Sequence, residues 1–391
     1  MTTLFFVVLY FFISIFIFYK ARLMGCSIAA ILAIFSRFFL CFAGLFFVLP
    51  FSGADAVKFE HVAWMWSQSG FKGILNNFDP SGSYLISAIT ALFYNLLERN
   101  VAIPVFINGI LGILAFSYSL ILCKSVWGDG PLKSIFPLLV AIHPMLNINS
   151  AVVLRENYVI LFVVIASIHL ARFSRTKSVS SAIFFLFFTL LASFFHGGMI
   201  LYALGLPLFL LFAGSNVRRP TKIAYGVLFV ISFLFIMNSF GLGKVSDIQQ
   251  GKVDLEYLAE LEDNRADANT AYLRGMKPTT VYDVFWQAPV RTIFLLTKPF
   301  PWDIKAPGHI IVFLDAMLWF SIIFLVLRNW TKIKENPASL AIILACSVSL
   351  VAFAYGTGNF GTGFRHRSKF IILALVVVAP LLPRIRLKEK V

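Results

Sequence analysis

Long apolar runs alternate with short polar stretches almost from the first residue of this chain. At about 1.5 Å of rise per helical residue, roughly 17–25 apolar residues cross the hydrocarbon layer of a bilayer. The pattern predicts eleven spans, about 3–19, 27–50, 101–123, 134–148, 154–171, 179–195, 198–214, 223–240, 309–327, 338–355 and 369–383. The fourth to seventh are short and closely spaced. Residues 84–97 are apolar but too short to span comfortably, and read as an interfacial or re-entrant helix. Two hydrophilic stretches stand out, a first outer loop at 51–83 and a large loop at 241–308. The second contains a charged, helix-favouring segment at 247–274. The expected fold is all-α, a polytopic membrane protein forming one integral domain over 1–391. The apolar runs are continuous rather than alternating, which argues against a β-barrel.

Composition sharpens this reading. Of 391 residues 59% are hydrophobic, 44 are Phe and only 13% are charged. That excludes a soluble enzyme, a disordered chain and a disulfide scaffold. The four cysteines, Cys26, Cys41, Cys123 and Cys346, have no paired spacing and read as small hydrophobes.

The net charge of +15 would point to nucleic acid in a soluble protein. Here its distribution over the loops decides. Met-Thr-Thr precedes the first apolar run, and Lys20 and Arg22 follow it. This polarity is wrong for a cleaved signal peptide and puts the N-terminus outside. With eleven spans, the inside segments then hold 17 basic and 3 acidic residues, the outside segments 15 basic and 14 acidic. The basicity is a cytoplasmic-face signal, and no nucleic-acid partner is expected. Both large hydrophilic stretches fall outside.

Polar residues at membrane level are candidates for function, and most crowd the outer half. Asp55 follows a span exit in the small-residue turn Ser52-Gly53-Ala54. It reads either as a solvated loop acid or as a base for a hydroxyl. Glu60 lies five residues on, about 140° round a helix, so the two do not share a face well. Arg155 and Glu156 open a span, either as an ordinary interfacial pair or with Arg155 as an anion clamp. His196 precedes Gly197 and Gly198 between two spans, in a plain hairpin turn or beside a ligand. Arg291 is a further outer cation.

The segment 356–369, GTGNFGTGFRHRSK, is the most informative. Its four glycines predict a loop with open backbone N–H groups, followed by Arg365, His366, Arg367 and Lys369. Amides and guanidinium groups together recognise phosphate or pyrophosphate, and lipid-headgroup anchoring is the bland alternative. Arg37 and Asp315 fall inside spans, where they could pair. No Walker loop, CxxC, HExxH or GxSxG motif is present. No cofactor is expected, and a divalent metal stays open.

An acid in the first outer loop, the Arg155-Glu156 span opening, Lys-Pro-Phe-Pro-Trp-Asp at 298–303 and GNFGTGFRHR at 358–367 carry a resemblance. The chain resembles the oligosaccharide repeat-unit polymerases of O-antigen and capsule pathways (Wzy-like, EpsG-like), within the wider GT-C-like multispanning glycosyltransferases. It departs from the ligase-like polymerases, which have two large outer loops with repeated Arg-rich motifs, because the first outer loop here is short and acidic. The resemblance implies transfer of a growing glycan from undecaprenyl pyrophosphate to another lipid-linked repeat unit. It also implies a periplasmic site in a bacterial inner membrane, with membrane lipids and a chain-length regulator as further partners. The expected catalytic set is Asp55, Glu60 and His196. Arg155, Arg291, Arg365, His366 and Arg367 would take the (pyro)phosphate, with no metal site. Two alternatives stand beside it: single-sugar transfer from a polyprenyl phosphate, and a lipid-linked saccharide flippase. The flippase would place charge in both halves of the membrane.

Overall fold

The computed structural model describes residues 2–51, 53–78, 84–212, 223, 226–227, 270–276, 278 and 280–385, and these are helical with no strand among them. In chain order α1 (Thr2–Leu23) and α2 (Ser27–Gly44) are joined through Gly25, whose φ of 74° suits glycine. Three shorter helices follow, α3 (Gly53–Gln68), α4 (Gly70–Asn77) and α5 (Leu85–Leu96). Then come α6 (Ala102–Trp127), α7 (Phe136–Ile142), α8 (Pro144–Asn149), α9 (Glu156–Thr176) and α10 (Val179–Phe195). A 3-10 segment, Gly197–Leu204, leads into α11 (Gly205–Phe212). Beyond the undescribed stretch lie α12 (Val281–Thr297), α13 (Pro307–Arg328), α14 (Trp330–Glu335), α15 (Pro337–Tyr355) and α16 (Phe360–Val378).

Six of these helices, α1, α2, α6, α9, α13 and α15, are long and apolar enough to cross a membrane. This is the helical, polytopic architecture that the apolar runs predict. Burial ranks the helices: 72% of the apolar window is buried in α6 and in α9, against 22% in α1 and 28% in α13. The first two form the centre and the last two the rim. Rim residues such as Phe5, Phe12, Phe39, Leu314 and Phe320 turn outward, as expected where lipid is the neighbour.

Polar side chains tie the centre together, because backbone groups at membrane depth need partners inside the protein. Asn108 of α6 donates to the carbonyls of Val152 and of Leu154, the latter at 2.9 Å. Asn157 of α9 donates to Asn108 O at 2.9 Å and to Ser150 Oγ at 3.0 Å. These bonds hold the non-helical stretch 150–155 and fix where α9 begins. Gly112 makes room for it, since a Cβ there would lie 2.1 Å from Ser150 Oγ. At the far end of α9, Arg175 donates to Ser125 O at 2.6 Å, near the last residues of α6. So α6 and α9 run in the same direction. Asn336, just before α15, donates to Val126 O at 2.9 Å. The Trp127 indole donates to Val376 O near the end of α16, also at 2.9 Å. Lys124, Lys133, Arg172, Arg175, Lys177, Lys332, Lys334 and Arg384 therefore gather at one end of the bundle.

Several expectations change. The run 134–148 is broken at His143-Pro144 into α7 and α8, and the described part of 198–214, up to Phe212, is a 3-10 segment followed by a short helix. The hydrophilic 51–83 is largely the helices α3 and α4 rather than loop. The last helix begins at Phe360, well before the expected 369, because the Asn359 side chain caps it by accepting from Thr362 N at 2.8 Å. The open glycine loop is thereby reduced to 356–359. The N–H groups of Phe360, Thr362 and Gly363 are already engaged, by Thr270 O and by Asn359. Arg37 and Asp315 do not pair. Arg37 donates to Ala33 O and Ala141 O, both at 3.1 Å, and Asp315 has other partners. Apart from residues 223, 226 and 227, the expected span at 223–240 lies outside the described residues, as does 241–269 of the large outer loop; the rest of that expected loop is built around the helix α12, Val281–Thr297.

Candidate functional site

The first half of α16 carries Arg365, His366, Arg367 and Lys369, and its helical geometry sorts them. Positions 365 and 369 are one turn apart and share a face, whereas 367 is about 200° from 365. Arg365 reaches two carboxylates from elements distant in sequence. Its Nη1 donates to Asp55 Oδ2 at 2.7 Å and its Nη2 to Glu156 Oε1 at 3.0 Å. Lys369 Nζ lies 3.8 Å from the same Glu156 oxygen. Arg155 precedes Glu156, with its guanidinium over the Phe59 ring at 5.7 Å. The beginnings of α3, α9 and α16 thus meet in one cluster of two carboxylates and three cations.

Its members differ in access. The Asp55 side chain is 51% exposed, that of Arg365 16%, and those of Glu156 and Lys369 are buried. The cluster runs from an accessible acid inward to an enclosed ammonium. Three of its buried atoms, Glu156 Oε2, Arg365 Nε and Lys369 Nζ, have no hydrogen-bond partner, and neither has His196 Nδ1 just beneath it. Such groups cost about 1–3 kcal/mol each unless water or a ligand satisfies them. Four together at one place mark a site able to take a polar guest.

Below this cluster sits an aromatic layer. The His196 and His366 rings are 5.4 Å apart, and each packs on Phe353, at 4.8 and 4.9 Å. His366 Nδ1 is 3.0 Å from Thr357 Oγ1. His366 is half-buried in this layer, with Thr357 as its polar partner.

The other side of α16 belongs to a separate network. Arg367 pairs with Asp315 of α13, whose second oxygen is 2.7 Å from His143 Nε2. Arg367 Nη1 donates to Leu295 O and Leu296 O at 3.1 Å and to Lys298 O at 2.6 Å, and Nη2 to Val312 O at 3.0 Å. The side chain is fully buried and joins the end of α12 to α13 and α16. The expectation that Arg367 faces a phosphate does not fit this geometry, because its fork is occupied by protein. Arg291 is also buried, donating to Gln287 Oε1 at 3.0 Å and to Met276 O, with Tyr355 5.0 Å from its guanidinium.

Glu60 sits apart from Asp55, as the 140° rotation anticipates. Arg99 binds both its oxygens at 3.0 Å and Tyr94 adds a hydrogen bond at 3.1 Å. Those bonds hold the Arg99 guanidinium above its ordinary range. The pair fastens α3 to the connection between α5 and α6, so a catalytic Glu60 has no support in the geometry.

Of the residues expected at a site, Asp55, Arg155 and Arg365 come together. Glu156 and Lys369 join them as members not assigned a role from sequence. The i,i+4 spacing of Arg365 and Lys369 was the available signal, hidden by reading the glycines as loop. Among the described residues, no group of three or more His, Cys, Asp or Glu side chains could hold a metal ion. No family model matches the chain, and no curated protein or solved structure matches it either.

Proposed function

We propose that the chain is a multispanning glycosyltransferase of the repeat-unit polymerase type, working on polyprenyl-pyrophosphate-linked glycans at the outer face of a bacterial cytoplasmic membrane. The observation that carries this reading is Arg365 holding an accessible carboxylate, Asp55, beside the buried pair Glu156 and Lys369. Sugar transfer needs both halves of that arrangement. The acceptor hydroxyl must lose its proton as its oxygen bonds to the anomeric carbon, and in this reading the accessible Asp55 carboxylate takes it. The bond from that carbon to the pyrophosphate oxygen breaks at the same time. The electron pair leaves with the pyrophosphate, where Arg365, Lys369 and Arg155 stabilise the growing charge. Glu156 holds the two cations of α16 in register. The charge split over eleven spans supports the outward orientation.

The test is extension of a lipid-linked repeat unit by the purified protein in nanodiscs. Wild type lengthens the glycan. Asp55→Asn, which keeps the shape and removes the negative charge, still binds the donor and slows transfer by roughly 10²–10⁴-fold. Transfer at the wild-type rate would remove Asp55 from the reaction.

A further inference from the structure

Asp55 is also the first member of a row along α3. Positions 55, 59, 62 and 66 follow one another at helical spacing and share one face, over about 16 Å at 1.5 Å per residue. Tyr84, the residue before α5, lies against this face. Its ring centroid is 5.7 Å from that of Phe59 and 6.1 Å from that of Trp66, and Lys58 Nζ lies 5.7 Å from it. Phe59 is buried, with the Arg155 guanidinium over its ring. Tyr84 and Trp66 are half-buried, and Lys58 is exposed. A row of rings therefore starts at the accessible carboxylate of the charged cluster and follows α3 away from it.

The row is held in place from behind. Ser87 of α5 donates to Phe59 O at 2.8 Å, Tyr94 to Glu60 Oε1 at 3.1 Å and Asn95 to Ser67 O at 3.4 Å. Trp64, about 200° round the helix from Trp66, lies 5.0 Å from the Arg99 guanidinium and belongs to this fastening.

Aromatic residues at a membrane surface ordinarily anchor among lipid headgroups. This row differs in being aligned, fixed in advance and headed by groups that exchange hydrogen bonds. A ring face accepts the C–H face of a sugar as it accepts other apolar surface. The hydroxyls at the sugar's edge need polar partners, and Asp55 and Lys58 offer an acceptor and a donor. We propose that Tyr84 and Trp66 form a saccharide subsite for the acceptor glycan, whose terminal sugar lies at Asp55 and whose following sugars stack along α3. This rests on the proposed function for the part that Asp55 plays. The two substrates are then held by different helices, the leaving group by α16 and the acceptor by α3, and they meet at Asp55.

The probe is the repeat-unit oligosaccharide released from its lipid by mild acid. Lacking pyrophosphate, it has no leaving group and can act only as acceptor. The full chain in nanodiscs carries fluorotryptophan, and Trp66→Phe identifies the Trp66 signal in the fluorine spectrum. That signal is expected to shift saturably as oligosaccharide is added. Trp66→Leu and Tyr84→Leu keep apolar bulk and lose the ring. Each should weaken oligosaccharide binding about tenfold in equilibrium dialysis and raise its KM as acceptor by the same factor, and Tyr84→Phe should restore most of the loss. A Trp66 signal that stays in place throughout the titration overturns the proposal. So does one that moves only when phosphatidylglycerol replaces phosphatidylethanolamine in the disc, which marks a headgroup anchor. Unchanged binding in both leucine variants overturns it as well. Glycan transfer by the same preparations keeps the two ideas apart. Transfer with a silent Trp66 sinks the subsite alone, and oligosaccharide bound at Trp66 without transfer sinks the polymerase reading alone.

Discussion

Arg365 and Arg367 stand two positions apart and do opposite things. Arg365 spans Asp55 and Glu156 at the accessible end of the cluster, while Arg367 is sealed among backbone carbonyls and Asp315. Their substitutions should separate. Arg365→Lys keeps a charge but loses the fork, and should retain part of the transfer rate. Arg365→Ala should lose a few kcal/mol of leaving-group stabilisation, roughly 10²–10³-fold in rate, with the protein still present. Arg367→Ala strands the buried Asp315 carboxylate. Breaking such a pair costs about 3–5 kcal/mol, so the change should appear in detergent melting and in yield rather than in rate. Equal melting of the two alanine variants would refute this division. Sequence made the charges visible but not their faces. A pair of arginines two residues apart looks like one clamp until the helix is known to run through them. Asp55, Arg155 and Arg365 were legible because each follows a membrane boundary. Lys369 was not, because its partner Glu156 comes from another helix.

At the scale of the element, the start of α16 decides the site. Four glycines in eight residues argue for loop, yet Asn359 outweighs them by capping Thr362 N and letting the helix begin at Phe360. Only that start puts Arg365 and Lys369 on adjacent turns. Asn359→Ala should lower stability by about 1 kcal/mol and reduce transfer with it, while Asn359→Ser or Asn359→Asp should keep most of both. A thermal melt and a transfer assay on the three variants check this, and an Asn359→Ala protein as active and stable as wild type would count against it. The broken run at 134–148 carried one sign of its break, Pro144. A residue before proline avoids helical backbone, and His143 has ψ of 122°. Run length alone could not reveal it, since a broken and a continuous helix have the same apolar content.

For the whole molecule, apolar run length made the helical membrane class legible, and the loop charges sorted its ends. The basic residues assigned to one face do collect at one end of the described bundle, and Asp55, Arg155 and Arg365 collect away from it. The number of crossings was less legible, because several apolar segments are too short or too interrupted to span as single helices. Reporter fusions after residues 130, 175 and 332 should read cytoplasmic, and fusions after residues 98 and 260 should read external. A cytoplasmic signal at residue 260 would reverse the orientation and move the proposed site to the wrong side.

The shared direction of α6 and α9 constrains the count by parity. Two neighbours pointing the same way require the chain between them to make an odd number of passes from one end to the other. Residues 128–155 contain no helix longer than α7, so α7, α8 and the unwound 150–155 together make that return. It is a crossing in pieces, with bare backbone where most proteins in lipid keep a closed helix. Asn108 binds the carbonyls of Val152 and Leu154 there, and Asn147 those of Ala141 and His143. Arg155 and Glu156 follow at once, so the charged cluster stands at the mouth of this return path.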